Sequence, residues 1–189
     1  MRHTTLAAAA VAMLLQVAPA RADEVSDAIG AAQRAYQAGQ LRETQAALQE
    51  AMQLLAQRAA AGLGAALPDA LPGWTAEDVQ SNAGGMAGVF GATTASRRYA
   101  NAQGQTVEIE VMSDNPMIAQ LAVVMANPML AGAMGRLVRI GEQRAIQSND
   151  GNVQMLVDNR ILVQVKGDAA PEAKLAYARA INLARLAGR

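Results

Sequence analysis

The sequence predicts an α+β fold: an N-terminal helical hairpin, then an antiparallel sheet in the order ββ-α-βββ-α with its helices packed on one face. Three observations predict it. Residues 23–66 are dominated by Ala, Gln, Leu, Glu and Arg, all good helix formers. From Thr93 onward, short runs alternate apolar and polar residues with the period of a half-buried strand. Between those runs lies Pro116–Gly135, PMIAQLAVVMANPMLAGAMG, which holds no Asp, Glu, Lys or Arg and so needs cover from its neighbours.

The division of the chain follows from these signals: residues 1–22 a signal peptide, 23–66 the helical hairpin, 67–78 a linker, 79–189 the α+β domain. The first segment has a positive start at Arg2, an apolar run from Leu6 to Val17, and Ala20-Arg21-Ala22 as an A-x-A cleavage site. It predicts export to the periplasm or beyond, with cleavage after Ala22 and no membrane anchor left behind. No Cys follows the run, which excludes a lipoprotein signal.

Charge and composition remove whole classes of function. Lys plus Arg and Asp plus Glu each number 16 in the 189-residue chain. Cleavage takes Arg2 and Arg21, leaving 14 basic against 16 acidic residues and a net charge of −2. With no basic block there is no electrostatic footprint for nucleic acid. The one His, His3, departs with the signal peptide, and Cys is absent. That excludes a Ser-His-Asp triad, a Cys nucleophile, a Cys/His zinc site and haem attached through Cys-x-x-Cys-His. No cofactor is expected, and stability must come from packing without disulfides.

In the hairpin, the first helix runs from about Val25 to Gln37, Gly39 ends it in a left-handed conformation, and the second runs from about Arg42 to Ala61. Leu41, Leu48, Met52 and Leu55, with Ala51, recur at helical steps and form one apolar stripe. Residues 62–73, GLGAALPDALPG, carry the turn formers of the linker, and Trp74 follows as an anchor at the domain edge. Gly84, Gly85, Gly88 and Gly91 lack the Lys-Ser/Thr of a phosphate loop and read as an irregular edge.

Residues 93–112 read as a β-hairpin with a four-residue loop at Asn101–Gly104, which sets Arg97 opposite Glu108. Val107, Ile109 and Val111 then share one face, Glu108 and Glu110 the other. The two carboxylates are the pair available for acid/base work; an ordinary solvated face with cross-strand Arg–Glu pairing is the plainer reading. Ser113-Asp114-Asn115 caps the uncharged helix, and Pro128 breaks it near Asn127. Leu137–Gln147, Val153–Val157 and Arg160–Lys166 follow as three strands, turned at Ser148–Asn152 and Asp158-Asn159. The last helix spans Pro171–Ala187, with Leu175, Ala178, Ile181 and Ala184 toward the sheet and Lys174, Arg179 and Arg185 toward solvent.

The uncharged stretch has three readings: a core helix on the sheet, a membrane span weakened by Pro116, Pro128 and its glycines, or a Met-rich site. Met117, Met125, Met129 and Met134 are the candidate ligand or partner surface, since thioethers take Cu(I) and adapt to varied shapes.

Two resemblances complete the reading. Ala32, Gly39, Leu41, Leu48 and Ala51 resemble a single tetratricopeptide repeat, with Thr44 where that motif has Ala and no second copy in the chain. Leu71-Pro72-Gly73-Trp74, Ser96-Arg97-Arg98-Tyr99, Val107–Glu110 and the closing Ile161–Gly167 strand resemble a group of small exported bacterial proteins of unknown function, and the element order is similar to the Mog1/PsbP-like fold. That resemblance implies a binding or assembly factor and carries over no catalytic residue. The expected function is an exported, non-catalytic periplasmic binding or assembly module, its partner an unidentified protein or small ligand. The alternatives are a carrier of Cu(I) or a small apolar ligand through the Met residues, and a hydrolase using Glu108 and Glu110.

Overall fold

A computed structural model describes residues 23–83, 92–113 and 115–188. The signal segment, the glycine cluster at 84–91 and Asp114 of the expected cap lie outside the described residues. Asp23 caps the first helix, α1 (Glu24–Gln37), by accepting from the Val25 amide. Gly39, at φ +74°, reverses the chain into α2 (Leu41–Gly64). The two pack antiparallel through Val25, Ala28, Ala32 and Ala51, and Asp23 pairs with Arg58 across them. The C-terminal end of α2 seats on the sheet: Leu63 enters the core, and a side chain at Gly64 would meet Val79 and Ser81.

Residues 67–78, read as a linker, are part of the packed structure. Leu67 is buried, and Trp74–Ala76 forms β1. The Pro68 carbonyl accepts from the Tyr99 hydroxyl at 2.7 Å and from Arg97 at 3.0 Å. Trp74 is the anchor the sequence predicts, stacked edge-on against Tyr177 with centroids 5.4 Å apart. A second short strand, β2 (Gln80–Asn82), lies beside β1 on the same edge of β3 (Thr93–Asn101). The remaining strands are β4 (Thr106–Ser113), β5 (Arg136–Ile140), β6 (Gln143–Gln147), β7 (Val153–Val157) and β8 (Ile161–Lys166). Every pairing is antiparallel, in the order β1-β3-β4-β8-β7-β6-β5. The α+β class, with a helical pair ahead of an antiparallel sheet, is as expected.

Several details differ. The helices cover both faces of the sheet, not one. α5 (Pro171–Ala180), α6 (Leu183–Leu186) and the end of α2 pack on the inner face, with Tyr99, Val107, Ile109, Val111, Met155 and Val163. On the outer face, α3 (Pro116–Ala126) packs on Leu156 and Leu162. The expected strand at Leu137–Gln147 is a hairpin, turned at Gly141 with φ +57°. The last pair of β3 with β4, Ala100 with Thr106, encloses five residues, not four, with Asn101 Oδ1 accepting from both Gln103 N and Gln105 N inside the turn. The register therefore sets Arg98, not Arg97, opposite Glu108. Arg97 goes to the inner face, where it holds the Glu77 and Pro68 carbonyls.

The last helix breaks at Ile181–Asn182, and its Lys174 is not solvated. It is 2% exposed. Its ammonium donates to the carbonyl of Asp150, to Asn152 Oδ1 at 3.0 Å and to the Gly167 carbonyl at 3.0 Å. Three donors meet three acceptors, which is what permits a buried ammonium. Gly151, at φ +77°, lets this turn abut Pro171, where a Cβ would lie 2.6 Å from the ring. Lys174 thus ties the β6–β7 turn and the end of β8 to α5.

Candidate functional site

The outer face of the sheet is graded in rows, because residues paired in register point the same way. Arg98, Glu108 and Lys166 form the first row. Ser96, Glu110, Gln164 and Gln154 form the next. Met112, Leu162 and Leu156 form the third. Charge gives way to amides and then to apolar side chains over three successive rows.

The charged rows are an ion-pair ladder. Lys166 Nζ lies 3.0 Å from Glu110 and 3.5 Å from Glu108, and Arg98 lies 3.4 Å from Glu108. The hydrogen bond that Lys166 donates to Glu110, with the charge of both carboxylates, raises the Lys166 pKa. Glu108 and Glu110, the pair nominated for catalysis, are thus each held by a cation. Among the described residues no group of three or more Asp, Glu, His or Cys is placed to hold a metal ion.

The apolar row is where the uncharged stretch lands. α3 lies over it through Ile118, which is buried, and through the half-buried Leu121, Ala122 and Met125. Asn127 ends α3 and caps α4 (Pro128–Met134) by accepting from Met129 N at 3.0 Å, so the break predicted from Pro128 is present. No helix among the described residues is long and apolar enough to cross a membrane.

Along one flank of α3 the sheet is left partly uncovered, and a groove of about 460 Å³ opens. Its apolar walls are Met112, Ile118, Leu121, Val124 and Leu162, and its polar groups are the amides of Asn115, Gln120, Gln154 and Gln164. Among the described residues no charged side chain lines it. The opposite flank has a different chemistry. There Met125, Leu137 and Val138 stand with Arg139, Glu142 and Arg144 around a hollow of about 330 Å³. The uncharged groove has the size and lining of a small-molecule site: mostly apolar, with a few neutral hydrogen-bonding groups.

Of the candidate Met residues, the three whose side chains are described, Met125, Met129 and Met134, do not line this groove. Met125 packs under α3 against the Leu156–Leu162 cluster. Met129 is 86% exposed and Met134 41%. For Met117 the described structure gives the helix position alone. Among the described side chains the thioether at the groove is Met112, whose Sδ accepts from Asn115 Nδ2 at 3.0 Å. Sequence reasoning missed it, as it missed Gln154 and Gln164. The available signal was the outward positions of three strands, where Met112, Gln154, Leu162 and Gln164 stand in place of the charges at Glu108, Glu110 and Lys166.

Compared with models of known families, with curated proteins and with solved structures, the chain matches none.

Proposed function

We propose that this protein is an exported, non-catalytic binding module that takes a small apolar ligand in the uncharged groove between α3 and the outer face of the sheet. The observation that carries the reading is the lining of that groove, which among the described residues is five apolar side chains, four neutral amides and no charge. Burial of an apolar ligand against such walls is favourable by ~25 cal/mol per Å² removed from water, and no charged group among the described lining residues has to be desolvated. The amides supply orientation, as neutral polar groups do in apolar sites.

The signal-like segment at residues 1–22 supports export. The resemblance to the Mog1/PsbP-like fold supports a binding role over a catalytic one. Cu(I) carriage gains no such support, because two or more thioethers have to surround one point. An 86% exposed Met129 touches almost nothing, so it does not converge with the packed Met125. Hydrolysis by Glu108 and Glu110 is disfavoured by the ion pairs that hold both carboxylates.

Titration with the neutral apolar dye phenylnaphthylamine tests the reading. Saturable binding at one site is expected. Gln154→Trp puts an indole ring into the groove from the sheet floor and should weaken binding at least about tenfold, with the fold unchanged. Equal affinity in the variant would move the site elsewhere, and no saturable binding would remove the apolar-ligand reading.

A further inference from the structure

The helical hairpin carries a second uncovered surface, remote from the groove in sequence and different in kind. On α2, Leu41, Leu48, Met52 and Leu55 are between 48% and 70% exposed. Their spacings of seven, four and three residues put them on one stripe. On α1, Ile29 and Tyr36 lie seven residues apart and are 49% and 67% exposed. Both stripes lie about a quarter-turn from the seam formed by Val25, Ala28, Ala32 and Ala51, and in the same rotational sense. On antiparallel helices that places both stripes on one side of the hairpin. The other side bears the charges: Glu24, Asp27, Arg34 and Glu50 line a shallow hollow there with Leu54.

Among the elements of the described structure, α1 has its extensive packing with α2, so the hairpin is supported by the sheet only through the end of α2. A two-helix unit of this kind does not bury its own face, and in helical arrays the neighbouring unit does so. This chain holds one such unit. We propose that a second copy of the chain supplies the neighbour, with the two hairpins joining face to face about a two-fold axis as a four-helix bundle.

Two features favour a second copy as the occupant. The six side chains leave on the order of 700 Å² in water, close to the ~800 Å² per partner that a stable interface buries. The face is also self-complementary: none of the six is charged, so a two-fold contact buries apolar against apolar and leaves the charged side of each hairpin in solvent.

Light scattering and sedimentation equilibrium of the purified protein test this. The wild type is expected to be a dimer at micromolar concentration. Leu48→Glu combined with Met52→Glu should weaken association at least about 100-fold, since burying unpaired carboxylates is costly. Both positions are exposed in the single chain, so the circular dichroism spectrum should not change. Leu48→Gln with Met52→Gln should give an intermediate weakening, and Val123→Glu on α3 should leave the dimer intact. A wild type that stays monomeric through the micromolar range overturns the proposal. So does a dimer that survives the double Glu change.

Discussion

The two faces of one sheet have opposite finishes. On the inner face, Tyr99, Val107, Ile109, Val111, Val153, Met155, Val163 and Tyr177 are essentially sealed, and the one ammonium among them has all three protons engaged. On the outer face the same strands present a ladder of ion pairs that gives way to a partly covered apolar row beneath α3. A strand alternates its side chains, so each of β4, β7 and β8 serves both surfaces. Stability is therefore concentrated on the inner face, and the outer face is free to leave a groove open.

The comparison breaks most sharply at Tyr177, which touches both Trp74 and Tyr99 and receives a hydrogen bond from Leu71 N. Tyr177→Ala should cost about 4 kcal/mol in chemical denaturation, the range for emptying an aromatic core site. Two neighbours on β7 sharpen it. Met155 is sealed on the inner face and Leu156 packs under α3 on the outer. Met155→Ala should cost about 3 kcal/mol and Leu156→Ala about 2, since the outer site relaxes more easily. Equal costs would mean that α3 closes its face as firmly as the core closes the other.

A smaller effect is expected at Tyr99. Its hydroxyl donates to the Pro68 carbonyl, and Tyr99→Phe should cost about 1 kcal/mol. Burial pushes its phenol up to about 12. In an unfolded chain a tyrosine loses its proton near pH 10. The native state therefore keeps a proton that the unfolded state releases, so this stabilisation is complete below pH 10 and is lost as pH rises toward 12. Denaturation midpoints measured across that window should fall less steeply in Tyr99→Phe. A residual slope should come from Tyr177, whose phenol burial also raises. The smallest effect belongs to the outer ladder: Glu110→Gln should change stability by no more than about 0.5 kcal/mol, because partly exposed ion pairs contribute little.

The contrast between the faces also explains what could be read from the sequence. Alternation in Val107–Val111 and Val163–Val165 marks the inner face directly, and Pro128 marks the break between α3 and α4. Register was legible only to within one residue, since the Asx turn at Asn101 takes up an extra position without altering the alternation. Lys174 was misread because a lysine on an amphipathic helix ordinarily faces water. Its acceptors come from turns 7 to 24 residues away in sequence and meet it only in the fold. The helices on both faces escaped notice for a related reason. Leu156 and Leu162 interrupt the polar side of their strands with one apolar residue each, and only the pairing of β7 with β8 joins them into a floor for α3. The uncharged helix could be named from composition, whereas the groove required the register.

The methionines allow the central claim to be tested at both faces in one spectrum. Met112 lines the groove, and Met155, at 0% exposure, lies in the inner core. With the methionine methyl groups labelled with carbon-13, titration with phenylnaphthylamine should shift the Met112 resonance saturably and leave Met155 in place. A saturable shift at Met155 with Met112 unmoved, or no saturable shift at either, would contradict a molecule that folds on one face of its sheet and binds on the other.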